Sequence, residues 1–218
     1  EAGGPGSGAD GGSAVGAGPW VLRLTWTGGP GPLASSRLAG ATGSLVVAAA
    51  PVPAATASTA AVTVAWTRNE RSPVAGLKTT SYAENVVALR HARDRGATEA
   101  LLPNTRGELC EGTGSNVVVA LPERPGELLT PPLSSGCLAG ITRQLLLRWA
   151  SEDGLAVREE VLPASVLERA DEVLLLSSLR DVQAVHDLDG RALVPGELGR
   201  RAAELFARRS AADPDPRV

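Results

Sequence analysis

Leu138-Ala-Gly-Ile-Thr-Arg143 is the stretch from which the rest of the chain is read. A glycine stands directly before a run with helical spacing, Ile141, Leu145, Leu146 and Trp149, so a helix is expected over residues 141–151. The first N–H groups of such a helix have no intrahelical acceptor, and with the helix dipole they favour an anion, phosphate above all. Gly140 and Ile141 offer backbone to that anion, Thr142 adds a hydroxyl donor, and Leu138 offers an apolar face just upstream.

Three further segments carry complementary chemistry. Lys78, in Gly76-Leu-Lys-Thr-Thr-Ser81, is the only lysine of a chain whose other cationic side chains are arginine or histidine. An amine that attacks a carbonyl needs a partly dry setting and a backbone that holds it still, and the small, hydroxylic neighbours suit that. Tyr82, the only tyrosine, follows four residues later. Glu111 lies in Leu109-Cys-Glu-Gly-Thr-Gly-Ser-Asn116, where two glycines allow a ligand close to the backbone. Ser177-Ser178 closes the apolar run Val173–Leu176 and sets hydroxyls at a strand end. An amine, a carboxylate, a phosphate cradle and a hydroxyl pair form the set that pyridoxal 5′-phosphate (PLP) requires: an anchor for its aldehyde, a partner for its pyridine nitrogen and a seat for its phosphate. Arg180, next to the serine pair, is a candidate carboxylate binder. Cys110 and Cys137 have neither metal-like nor disulfide-framework spacing and read as small buried hydrophobes, so no metal is expected.

Around these segments the chain reads as α+β. Strands are expected at Trp20–Trp26, Ser44–Ala50, Ala61–Trp66, Glu99–Leu102, Asn116–Leu121, Leu128–Thr130, Val157–Val161 and Glu172–Leu176, with a final helix over 196–209. Ser81-Tyr-Ala-Glu84 has the pattern of a capping box, opening a helix with Tyr82, Val86 and Leu89 on one face and Gly96 closing it. The texture changes near Pro73, so residues 1–72 and 73–218 are expected to be separate domains. Residues 1–18, rich in Gly, Ala and Ser, read as a flexible lead-in. With 43% hydrophobic residues the chain can build a core, and with 3% aromatics that core must be Leu, Val and Ala. A net charge of −3 with no basic block argues against nucleic acid or an anionic membrane as partner, and no run reaches the length of a membrane span. A reduced, cytoplasmic protein is expected. The chain has no Met, even at position 1, so it is expected to be part of a longer reading frame with site residues upstream.

Taken in order, Gly-Leu-Lys78-Thr-Thr-Ser-Tyr82, Glu111-Gly-Thr-Gly-Ser-Asn116, Thr130-Pro-Pro-Leu133, Leu138-Ala-Gly-Ile-Thr-Arg143 and Ser177-Ser178 resemble the class IV (fold-type IV) PLP enzymes. That family includes branched-chain aminotransferases, D-amino acid transaminases and aminodeoxychorismate lyases. The resemblance implies that Lys78 takes the cofactor aldehyde and moves the proton, that Glu111 pairs with the pyridine nitrogen, and that Tyr82 bonds the phenolic oxygen. It implies phosphate contacts from Gly140, Ile141, Thr142, Ser177 and Ser178, and Leu138 packed on the ring. It further implies a homodimer acting on a small amino substrate, with residues 1–72 as an incomplete small N-terminal domain and 73–218 as the larger PLP-binding domain.

Two departures bear on the reaction. The family's longer N-terminal segment, with its phosphate-contacting arginine, has no counterpart here. Thr27-Gly28-Gly29 replaces a Thr-Arg-Gly whose arginine binds the substrate carboxylate in D-amino acid transaminases, leaving Arg37 as a substitute. Trp66-Thr-Arg-Asn-Glu-Arg-Ser-Pro73 and Ser177-Ser-Leu-Arg-Asp-Val182 are more similar to aminodeoxychorismate lyases, which release pyruvate to give 4-aminobenzoate, a folate precursor. A class IV aminotransferase using branched-chain or other amino acids and a 2-oxo acid stays open, as does a catalytically silent PLP-binding relative.

Overall fold

The computed structural model describes residues 18–33, 36–54 and 56–217. The chain divides into two compact units, residues 1–54 and 55–218. The lead-in expected at 1–18 lies, apart from Gly18, outside the described residues.

In the first unit, β1 (Trp20–Thr27) pairs antiparallel with β2 (Ser44–Pro51) in register from Trp20↔Pro51 to Thr27↔Ser44. Because side chains alternate along a strand, Trp20, Leu22, Leu24 and Trp26 share one face with Leu45 and Val47.

The second unit holds β3 (Ser58–Thr63), α1 (Ala83–Arg93), β4 (Glu99–Pro103), β5 (Leu109–Gly112), β6 (Asn116–Ala120), β7 (Glu127–Thr130), α2 (Ile141–Asp153), β8 (Ala156–Glu159), β9 (Glu172–Ser177), β10 (Asp181–Leu188), β11 (Arg191–Ala192) and α3 (Glu197–Ala212). Its strands form one mixed sheet in the order β5-β4-β3-β10-β9-β6-β7-β8, with β11 on β10. β3 runs parallel to both β4 and β10, and α1 makes the crossover to β4. Although β5 and β6 lie far apart in that order, the Gly112 N–H donates to the Ser115 carbonyl, so the sheet curls until they meet.

Strand alternation sorts the core. Leu101, Leu109, Val117, Val119, Val173, Leu175 and Val185 form one cluster. Val118, Leu174 and Leu176 turn the other way and pack on Leu145, Leu146 and Trp149 of α2 and on Leu205 and Phe206 of α3. Val62, Ala100 and Leu102 pack on Ala88 and Ala92 of α1.

Most expected elements form, with four corrections. β3 sits in the large sheet, so the division falls at 54/55 and not at 72. The helix after Lys78 begins at Ala83 with Tyr82 as cap and no side-chain cap bond, so Ser81 makes no capping box. Its inward face is Asn85, Ala88 and Ala92, the two alanines packing on β3 and β4, while Val86 is 62% exposed. β5 and β10 form where no strand was expected.

Candidate active site

The candidate residues arise where the loop before α1, the end of β5, the start of β6 and the first turn of α2 converge. Lys78 follows a short turn in which Gly76 has φ +75°. This loop is fixed at several points. The Arg68 N–H donates to the Pro103 carbonyl, and Glu70 accepts from the Thr105 N–H and hydroxyl. Gly136 meets Glu70 so closely that an added Cβ would lie 2.8 Å from its Cα. Lys78 Nζ donates to Tyr82 Oη at 2.9 Å and stands 5.3 Å from the ring centroid. The amine itself is exposed, so the dry setting expected for it is not formed by the described residues.

Glu111 sits in β5 opposite Leu102 and is 9% exposed. Its Oε2 accepts the Leu138 N–H at 2.8 Å. Its Oε1 lies 3.1 Å from Arg68 Nε, an ion pair whose N–H points off the line of the oxygen, leaving Nε without a hydrogen-bond partner among the described residues. Burial pushes the Glu111 carboxyl above its ordinary range, against the Leu138 N–H, Arg68 and Lys78, which pull it down.

Asn116 begins β6, and its Nδ2 donates to the Leu138 carbonyl at 2.9 Å. The chain passes so close to Asn116 that a Cβ on Gly140 would stand 2.0 Å from Oδ1. Gly140 caps α2 with extended backbone and no side-chain cap, so no side chain at the cap takes up the first-turn N–H groups. Thr142 is buried and Ile141 is 56% exposed. Inside that turn, the 5%-exposed Arg143 donates to the Pro131 carbonyl and pairs with Glu159.

Sheet register carries the serine pair to the same end. Asn116 pairs with Leu176, so Ser177 and the exposed Ser178 emerge beside the start of β6. Arg180, the other candidate carboxylate binder, directs its guanidinium to Thr98, Gln183 and Glu99. Arg37 lies in the first unit and donates to the Gly28 carbonyl at 3.3 Å. Cys110 and Cys137 are free and buried, and burial raises the Cys110 thiol to about 12. Both therefore behave as small hydrophobes. A cavity of about 450 Å³ lined by Thr63, Leu102, Glu168, Asp189 and Arg191 among others contains none of the candidate residues.

Sequence reasoning missed Arg68, Asn85 and Glu99. Arg68 sits in a polar run whose burial has no periodic signal. Glu99 is 1% exposed and accepts from Thr113, Ser115 and the Gly114 N–H, which fixes the turn after Glu111. Only its place in an otherwise apolar strand hinted at this.

Comparison with known proteins bears on this arrangement. A family model described as amino-transferase class IV matches residues 10–188. A bifunctional aminodeoxychorismate lyase/D-amino acid transaminase of Mycobacterium tuberculosis is 36% identical over 136 residues, 61% of this chain and 47% of that protein. The branched-chain aminotransferase of Escherichia coli K12 is 32% identical over 127 residues, 58% of this chain and 40% of that protein. The chain thus spans less than half the length of these curated relatives. Among solved structures, a branched-chain aminotransferase of Thermoproteus uzoniensis with norvaline superposes with TM-score 0.79 at 27% identity, covering 90% of this chain and 66% of that one. A hypothetical aminotransferase of Mycobacterium tuberculosis in its PLP-bound form superposes with TM-score 0.73 at 30% identity, covering 90% and 69%. With order, geometry and a match over most of its length in agreement, the chain belongs to the class IV aminotransferase family of PLP-dependent enzymes, with the mixed α/β architecture of fold type IV.

Proposed function

We propose that this chain carries the PLP site of a lyase that releases pyruvate from 4-amino-4-deoxychorismate to give 4-aminobenzoate, in the cytoplasm and as a homodimer. The observation that carries the reading is the pairing of Lys78 Nζ with Tyr82 Oη at 2.9 Å, in the segment that precedes buried Glu111 and uncapped α2. The donor set suits PLP: an amine for the aldehyde, a carboxylate for the pyridine nitrogen, and a helix N-terminus with Gly140 pressed on Asn116 for the phosphate.

Bound PLP supplies an aldehyde that captures the substrate amine and a ring that takes up an electron pair from the substrate. The protein's part is binding and proton transfer. Lys78 would anchor the aldehyde, and its amine would move the proton at the substrate carbon. Tyr82 Oη accepts the hydrogen bond that aims Nζ. Glu111 holds a proton on the pyridine nitrogen. The N–H groups of Ile141 and Thr142, with the Thr142, Ser177 and Ser178 hydroxyls, would hold the phosphate, and half-buried Leu138 would offer its apolar face to the ring.

The Mycobacterium tuberculosis relative is named for both lyase and transaminase chemistry, and the Escherichia coli relative for branched-chain amino transfer. That second name supports amino transfer as the other reading. The test incubates the protein and Lys78→Ala with PLP and 4-amino-4-deoxychorismate, without a 2-oxo acid. Pyruvate release by the parent alone, with a visible band that borohydride bleaches and the variant lacks, is the expected result. No pyruvate release there, with amino transfer in a parallel incubation supplied with an amino acid and 2-oxoglutarate, would replace the lyase by a transaminase. A parent with neither activity but with the band would be a silent PLP binder.

A further inference from the structure

Glu111 divides its two oxygens between two neighbours. Oε2 takes the Leu138 N–H, while Oε1 faces the Arg68 guanidinium at 3.1 Å. Both side chains are largely buried, 18% exposed for Arg68 and 11% for Glu111, so water screens the pair little. Arg68 is held as firmly as the carboxylate it serves. Its backbone N–H donates to Pro103 at 2.7 Å, and Nη1 donates to Asn85 Oδ1 at 3.0 Å. Asn85, buried in α1, donates in turn to the Thr113 carbonyl at 2.6 Å, in the turn directly after β5. One guanidinium thus joins the Lys78 loop, α1 and the strand that carries Glu111.

We propose that Arg68 is a positioning residue for the cofactor: it fixes Glu111 in one orientation, balances its charge, and locks it to α1 through Asn85. This rests on the assignment of Glu111 to the pyridine nitrogen. A carboxylate can hold a proton on that nitrogen only as an anion. In this site burial pushes Glu111 towards the neutral acid, and Arg68 opposes the push. A neutral Glu111 would be a donor where an acceptor is needed. An arginine that were merely a clamp would contribute to stability and leave the state of Glu111 untouched.

The test uses PLP-loaded parent, Arg68→Gln, Arg68→Lys and Glu111→Gln, with two readouts besides turnover. One is the visible absorption band followed against pH. The other is the Glu111 carboxyl signal in carbon-13 NMR, assigned by its loss in Glu111→Gln. In Arg68→Gln the band should move in the direction of Glu111→Gln, and the Glu111 signal should titrate about one pH unit higher, a tenfold smaller ratio of charged to neutral carboxyl at a given pH. Arg68→Lys, which keeps the charge but not the fork, should fall between Arg68→Gln and the parent. Should Arg68→Gln not fold, Arg68→Lys alone decides: a band displaced towards Glu111→Gln supports the proposal, and a parental band overturns it. A parental band and parental Glu111 titration in a folded Arg68→Gln that only melts earlier would overturn it too. If Glu111→Gln itself has a parental band, the assignment of Glu111 fails and the proposal falls with it. That failure differs from one in which Glu111→Gln moves the band and Arg68→Gln does not.

Discussion

At Tyr82 one hydroxyl does two things for the same lysine. Its oxygen accepts from Nζ at 2.9 Å, and the ring presents its face to the ammonium 5.3 Å away. Lys78 itself is exposed, so little else restrains it. Removing the hydroxyl should therefore loosen the amine without removing it. Tyr82→Phe is expected to keep the borohydride-sensitive band and to lower kcat by roughly tenfold to a hundredfold, as for loss of one aimed proton-transfer contact. Its melting temperature should match the parent, since Tyr82 caps α1 without a side-chain bond. An unchanged kcat would show that Nζ needs no partner there. The residues of this pair were legible in the sequence because each is the sole one of its kind. Arg68 was not, because one arginine among many carries no mark of burial.

Among elements, the first turn of α2 is fixed by the start of β6. Asn116 holds the Leu138 carbonyl, and Gly140 fits only because it lacks a Cβ. Gly140→Ala should force Asn116 or the helix start to move, since the new Cβ would stand 2.0 Å from Oδ1. Overpacking of this kind costs about 1–3 kcal/mol, and the displaced N–H groups should weaken PLP binding by tenfold or more. Calorimetric titration with PLP, beside thermal melts, checks both, and parental values in each would discard the cradle. This helix was readable from Gly140 and the spacing of Leu145, Leu146 and Trp149, all of which are buried as that spacing requires. β10 was not readable: Asp181-Val-Gln-Ala-Val-His-Asp-Leu188 mixes polar and apolar residues without clean alternation, and only pairing with β3, β9 and β11 makes it a strand. β5 was obscured in the same way by the glycines that follow it. The capping box failed because Ser81 lies one residue outside the real cap, Tyr82.

Across the whole second unit, carboxylates with opposite shifts shape the response to pH. Glu70 is held below its ordinary range, chiefly by the Thr105 hydroxyl and more weakly by Arg106. Glu108 is lowered mainly by its hydrogen bond with Arg106. A lowered carboxyl stabilises the fold above its unfolded pKa, and that contribution is lost as pH falls through the folded value. Glu111 has the reverse sign. Burial raises it, so its contribution is complete below the ordinary carboxylate range and is lost as pH rises through the folded value. The PLP-free protein should therefore lose stability on both sides of a maximum, in acid through Glu70 and Glu108, and on the rise through the folded Glu111 value. Glu70→Gln should reduce the acid slope, and Glu111→Gln should flatten the other. Added PLP should flatten that second slope as well, because a pyridinium beside Glu111 compensates the buried charge once it forms. Melting temperature against pH for the three proteins, with and without PLP, checks this. A Glu111→Gln profile parallel to the parent would mean that Arg68 and the Leu138 N–H already offset the whole cost of burying that charge.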